Sequence, residues 1–254
     1  MSRPVTWSVL TETVAAETQL ALAGFVDPVT PPAAQRRHLA PHPPTFGLDA
    51  LAEWDWRTRH CLSVPRDQGS SNTCTSFALV AAIEARFLAH KNVVLTLAPG
   101  YIHTCLFQYG PERGVWGGDA LDAVVQNGVA RAFPGDYPYP PAQCQIGDLF
   151  RLGRYQTIDS EAGAMQAIVR GPLVADMDIE PSLFQLKPGQ VYSYQDSPAR
   201  RLHSVALVGF NATKRYWIVQ NSWGKGWCDS GFGFVAFGSG GLLGKRCGWE
   251  PLLN

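Results

Sequence analysis

The sequence predicts an α+β fold. Strong helix formers at three- and four-residue apolar spacing crowd its first half, and short apolar runs bounded by Gly, Asn, Asp or Pro fill its second. A proline-rich stretch sets the N-terminus apart from both.

Taken in order, residues 1–24 hold one expected helix, Ser8 to Ala23, stopped by Gly24. Six of the nineteen prolines follow within residues 28–44, which makes that stretch an extended tether. The boundary falls near residue 45, leaving an arm over 1–45 and a folded domain over 46–254. The run from Phe77 to Leu88 is helical, with Phe77, Val80, Ile83, Phe87 and Leu88 on its apolar face. Ser70, Asn72 and Thr73 supply capping chemistry, so this helix is expected to begin at Cys74. A second helix is expected around Tyr101–Phe107, then a turn over Gly114–Gly118 and a helix from Asp119 to Asn127 ended by Gly128. Tyr137–Pro141 reads as a rigid connection. Strands are expected at Pro172–Met177, Gln190–Tyr194, Ser204–Phe210, Tyr216–Gln220 and Gly233–Phe237. The expected domain therefore divides into a helical part over about 60–155 and a β-rich part over about 156–254.

Composition narrows the function. Charge balances at 21 basic against 21 acidic residues, with no basic run, which argues against nucleic acid or an anionic membrane surface as partner. No apolar stretch reaches spanning length, and Glu12 and Glu17 interrupt any secretory core, so cytoplasmic residence is the default expectation and non-classical export stays open. Six cysteines over 254 residues do not make a disulfide scaffold, and no CxxC or HxxxH spacing suggests a metal site.

Chemistry concentrates at three places. Cys74 begins a helix, whose positive end favours thiolate over thiol. A structural buried cysteine is the alternative for that residue taken alone. His203 precedes an apolar strand, and Asn221 ends the next, in Asn221-Ser222-Trp223-Gly224. His203 lies 129 residues beyond Cys74 and Asn221 lies 147 beyond it, within the interval of roughly 130–150 found in papain-like enzymes. With Gln68 before the cysteine and the pair Gly117-Gly118, the chain resembles the papain family of cysteine peptidases from about Trp54 to Gly248.

The resemblance implies a two-lobed fold, one lobe helical and the other β-barrel-like, with the active-site cleft between them. It implies Cys74 as nucleophile, His203 as acid/base, Asn221 as the residue that orients the ring, and Gln68 as oxyanion donor. Trp223 would cover the His–Asn contact, and Gly117 and Gly118 would let an extended peptide substrate lie close. No cofactor or metal is required. A transferase using the same acyl-enzyme and a catalytically silent binding module are the two rivals.

Departures from the family pattern are equally informative. Ser71 and Thr75 stand where relatives commonly carry Cys and Trp, Val115 where that cysteine's partner falls, and Leu202 where Asp or Asn often precedes the histidine. Cys105 and Cys144 match another family pair and imply one disulfide, whereas Cys61, Cys228 and Cys247 have no assignable partners. Asp119, Asp176, Arg201, Ser204 and Trp249–Leu252 fall near the expected specificity pocket. The arm is shorter than the family's proregions. It reads either as a short propeptide or regulatory segment that crosses the cleft and inhibits the site intramolecularly, or as an inert or partner-binding tail.

Overall fold

A computed structural model describes residues 51–132, 144 and 149–253. The arm and the Tyr137–Pro141 connection lie outside those residues.

Strand β1 (Glu53–Asp55) leads into helix α1 (Cys74–Lys91), a π-helical turn (Tyr101–Leu106) and α2 (Gly117–Asn127). Two short strands, β2 (Val129–Ala130) and β3 (Leu149–Phe150), pair only with each other. Then come β4 (Arg154–Ile158), α3 (Glu161–Arg170), β5 (Leu173–Ile179), β6 (Val191–Tyr192), β7 (Arg201–Asn211), β8 (Tyr216–Gln220), β9 (Phe232–Ala236) and β10 (Gly248–Leu252). The main sheet runs β4-β10-β5-β7-β8-β9-β6, with β1 added to β7. Each neighbour pair is antiparallel except β6 with β9.

Two separate cores form. One gathers the apolar residues of β5, β7 and β8 with α3, including Met177, Leu207, Phe210 and Trp217. The other gathers α1, the π-helical turn and α2, including Leu79, Ile83, Ile102 and Leu121. Helix α1 is buried on every side from Cys74 to Arg86, rather than on the single face its apolar spacing suggests. Its two charged residues there are therefore paired. Glu84 accepts from Arg66 at 2.6 Å and from the Leu97 amide at 2.7 Å. Arg86 and Arg170 converge on Glu250, at 3.3 and 2.6 Å, and Arg86 also donates to the Gly171 and Pro172 carbonyls. A buried charge survives in a core only with such partners. The cluster therefore pins α1 to α3 and β10.

Sheet register fixes what faces α1. In the β5–β7 ladder Asp176 lies opposite Ser204 and Met177 opposite His203. The β7–β8 ladder shifts register between Leu207 and Gly209, where β1 crosses. A Cβ on Gly209 would stand 2.4 Å from the Trp54 carbonyl oxygen, so only glycine lets β1 pair there.

Three sequence expectations change. Helix α2 begins at Gly117, so both glycines of the pair belong to its first turn rather than to the preceding turn. Residues 161–170 form helix α3 within a region expected to be all strand. Thr73 occupies the N-cap of α1 without a side-chain cap bond, because its hydroxyl pairs with Ser71 Oγ at 2.6 Å.

Candidate active site

Hairpin β7–β8 builds one side of the site. His203, the third residue of β7, is wholly buried, and its Nε2 lies 2.8 Å from Asn221 Oδ1 just beyond the end of β8. That contact orients the imidazole and leaves Nδ1 as the other proton-bearing position. Asn221 Oδ1 also accepts from the Ser222 amide at 2.8 Å, which fixes its own side chain. Trp223 stacks on His203 at a centroid distance of 4.8 Å and on Phe184 at 4.4 Å. An indole over the ring shields the His203–Asn221 contact from water, which strengthens it.

The loop before α1 builds the other side. Gln68 is buried; its amide nitrogen donates to the Ser71 carbonyl, and its Oε1 accepts from Ser222 Oγ at 2.6 Å. An amide nitrogen carries two protons, so one remains for a second acceptor. The Gln68 main-chain N–H donates to the Ser222 carbonyl at 2.8 Å. Residues 68 and 222 thus tie the nucleophile loop to the strand end that carries Asn221.

Cys74 begins α1 as expected, but its thiol is fully buried and packs with Leu202 and Trp116. Burial pushes the thiol up to about 11, against hydrogen bonds from the Ser204 and Thr75 main chain that lower it. Burial therefore opposes the preference for thiolate that the helix end supplies. One helix terminus supplies only partial charge, whereas removal of water from an anion costs far more.

The places left by the missing family bridge are filled by hydrogen bonds. The Asn72 amide donates to the Pro111 carbonyl at 2.6 Å and its side chain to the Glu112 carbonyl at 2.7 Å. Thr75 Oγ1 donates to the Val115 carbonyl at 2.6 Å. The expected pair Cys105–Cys144 is joined as a disulfide, with Cα atoms 5.5 Å apart, while Cys61, Cys228 and Cys247 form no disulfide among the described residues. Among the described residues no His, Cys, Asp and Glu cluster in a way that suits a metal ion.

The glycine pair is not equivalent. A Cβ on Gly117 would lie 2.3 Å from the Trp249 ring, whereas one on Gly118 would make ordinary contact at 3.7 Å. The space left at Gly117 is therefore taken by the protein's own indole. Asp176 and Ser204, matched by position to the surroundings of the specificity pocket, are buried beside Cys74, and Glu250 is buried between its arginines. Positional matching gave no signal for that depth.

The model of the papain family of cysteine proteases matches residues 51–251. The chain belongs to that family. It is similar to digestive cysteine proteinase 2 of Homarus americanus, at 28% identity over 71% of this chain and 59% of the lobster protein. Ananain of Ananas comosus is 27% identical over 70% of this chain and 53% of its own length. This papain-family chain thus spans less than two thirds of those curated relatives. Among solved structures, a cysteine protease of Carica candamarcensis in complex with E-64 superposes with a TM-score of 0.68 over 80% of this chain and 99% of that one, at 24% identity. Digestive procathepsin L 3 of Tenebrio molitor reaches 0.73 over 94% of this chain and 79% of that one, at 22% identity. Both share its papain-like α+β fold.

Proposed function

We propose that this papain-family chain is a cysteine peptidase that cleaves peptide bonds through a thioester formed on Cys74. The observation that carries this reading is the buried His203–Asn221 pair, roofed by Trp223, on the strand against which the start of α1 packs. His203 takes the Cys74 proton as sulfur attacks the substrate carbonyl, and the imidazolium returns it to the leaving amine. Water then attacks the thioester carbonyl as His203 takes its proton; the C–S bond breaks, the carboxylic acid leaves, and the Cys74 sulfur recovers the proton from His203. The second Gln68 amide proton and the Cys74 N–H are the donors for the oxyanion; removing one such donor typically costs about 10²–10³ in turnover. The substrate is a peptide or protein, and residues 1–45 are a candidate intramolecular inhibitor.

Complete burial of Cys74 favours a second reading, a catalytically silent member of the fold. One experiment separates the two: intact-mass analysis after incubation with an epoxysuccinyl inhibitor, with Cys74→Ala as control. A single adduct absent from the control, together with hydrolysis of fluorogenic peptides, supports the peptidase. No adduct on either the full chain or a form lacking residues 1–45 supports the silent reading. Trp116→Ala, which uncovers the thiol, is expected to speed adduct formation.

A further inference from the structure

Directly behind Cys74, four oxygens stand in a row. Val115 O lies 2.6 Å from Thr75 Oγ1, Thr75 Oγ1 lies 2.8 Å from Ser204 Oγ, and Ser204 Oγ lies 2.5 Å from Asp176 Oδ1. Thr75 follows the nucleophile and Ser204 follows the base, so the row joins the two halves of the site. All three side chains are buried.

The row has three contacts, and its two hydroxyls bring one proton each; the Cys74 thiol also meets the Ser204 side chain and can donate its own proton there, so it does not make up the shortfall within the row. With Asp176 ionised, Ser204 donates to the carboxylate and Thr75 donates to the Val115 carbonyl. Thr75 and Ser204 then face each other at 2.8 Å with lone pairs only. A proton on Asp176 Oδ1 removes the conflict, because Asp176 donates to Ser204, Ser204 to Thr75 and Thr75 to Val115. Asp176 Oδ2 is also buried and makes no hydrogen bond of normal geometry among the described residues, although the Gly117 amide approaches the carboxyl. A bare oxygen there costs more in a charged carboxylate than in a neutral acid.

We propose that Asp176 is held as a neutral acid and acts as a positioning residue, ordering the Cys74 end of the site through Ser204 and Thr75. This role for Asp176 rests on the peptidase reading of Cys74; its protonation does not. Around it stand Arg246, the Gly117 amide at the start of α2, Asp178 on β5, the Cys74 thiol, and His203 beside Ser204 on β7. Burial is the main influence and pushes the carboxyl up to about 7, Asp178 adds to that, and the hydrogen bond from Ser204, Arg246 and the Gly117 amide favour the charged form. Arg246 is itself shared with Asp178, to which it donates at 2.8 Å. A charge on Asp176 raises the Cys74 thiol pKa further. Reactivity of Cys74 is therefore expected to suffer once Asp176 ionises.

The test has two parts, both on the full chain. The first follows the aspartate carboxyl carbons by ¹³C NMR, with Asp176→Asn identifying the signal. Asp176 is expected to keep its protonated shift to near pH 7. In Thr75→Val one contact remains and needs one proton rather than three, Ser204 supplies it, and the Asp176 titration is expected to move to lower pH. An aspartate raised by burial alone would not move in that direction. A signal already ionised at about pH 5, or one that does not fall in Thr75→Val, overturns the neutral-acid assignment. Should Asp176→Asn fail to fold, a selective shift of one titrating signal in Ser204→Ala identifies it instead. The second part measures the rate of Cys74 alkylation by iodoacetamide against pH. Asp176→Asn is expected to shift the profile to give about tenfold faster alkylation once wild-type Asp176 is charged. Superposed profiles overturn the positioning role. A wild-type chain that alkylates normally but cleaves no peptide removes the peptidase reading and leaves the NMR result standing.

Discussion

The two sides of the site are held in different ways. On the β7–β8 side, His203 is fixed by one hydrogen bond to Asn221 and by the Trp223 indole, all within a single hairpin and the turn after it. On the α1 side, Cys74 is fixed by contacts that reach far along the chain. Asn72 and Thr75 bond to the carbonyls of 111, 112 and 115, Thr75 bonds to Ser204, and Arg86 and Glu84 pair deep in the core. The hairpin side matches the family pattern at His203, Asn221 and Trp223 and departs from it at Leu202, whereas the helix side carries Ser71 and Thr75 where a cysteine and a tryptophan are expected. A short-range device leaves little freedom to change, because a single ladder register and ring contact set it. A device of many weak long-range bonds can exchange one crosslink for several hydrogen bonds of about 1 kcal/mol each.

The contrast can be tested from its strongest point downwards. On the hairpin side, His203→Ala is expected to lower turnover by up to about 10⁶ with little change in the unfolding midpoint, read by peptide hydrolysis and urea denaturation. A loss below tenfold would remove His203 from the chemistry. On the helix side, Glu250→Ala strands Arg86 and Arg170 and is expected to destabilise by about 3–5 kcal/mol, whereas breaking the exposed Arg215–Glu161 pair costs about 0–1 kcal/mol. Equal costs would mean that the buried cluster does not anchor α1.

Asp176 gives the helix side a pH signature. Its pKa is raised from 3.8 to about 7 in the folded protein. The unfolded chain therefore releases that proton first as pH rises. The stability conferred is fully present below the unfolded value and is lost on rising through the folded one, with a slope of at most about 1.4 kcal/mol per pH unit. Asp176→Asn is expected to flatten this dependence in denaturant titrations run across that window. The smallest effect expected is that of Asn72→Ala, about 1 kcal/mol of stability from one lost side-chain bond. If it costs nothing, the bonds to residues 111–115 do not take the place of a bridge.

Much of the site was legible in the residues. Cys74 before an apolar helical run, His203 before an apolar strand and Asn221-Ser222-Trp223-Gly224 at a strand end are local signals, and the folded chain gathers them into one neighbourhood. Strand β8 carries the predicted limits, Tyr216–Gln220, and β7 only lengthens beyond Ser204–Phe210. Helix α3 was missed although Ser160 caps it, accepting from the Gly163 amide at 3.3 Å, and Gly171 ends it. Its ten residues and internal glycine gave too weak a periodic signal within a strand-rich region.

What the sequence determined by itself was the order of elements and the chemical types available, because helical and strand periodicity and side-chain chemistry are local properties. What only the tertiary structure decided was environment. It buried α1 on all sides and withdrew Cys74 from water, which pushes the thiol up to about 11 against the pull of the helix end. It turned Gly117 into the seat of Trp249 and set Asp176 opposite Ser204 within reach of Thr75. Burial, register and proton sharing depend on partners far away along the chain, and no local window of residues carries that information.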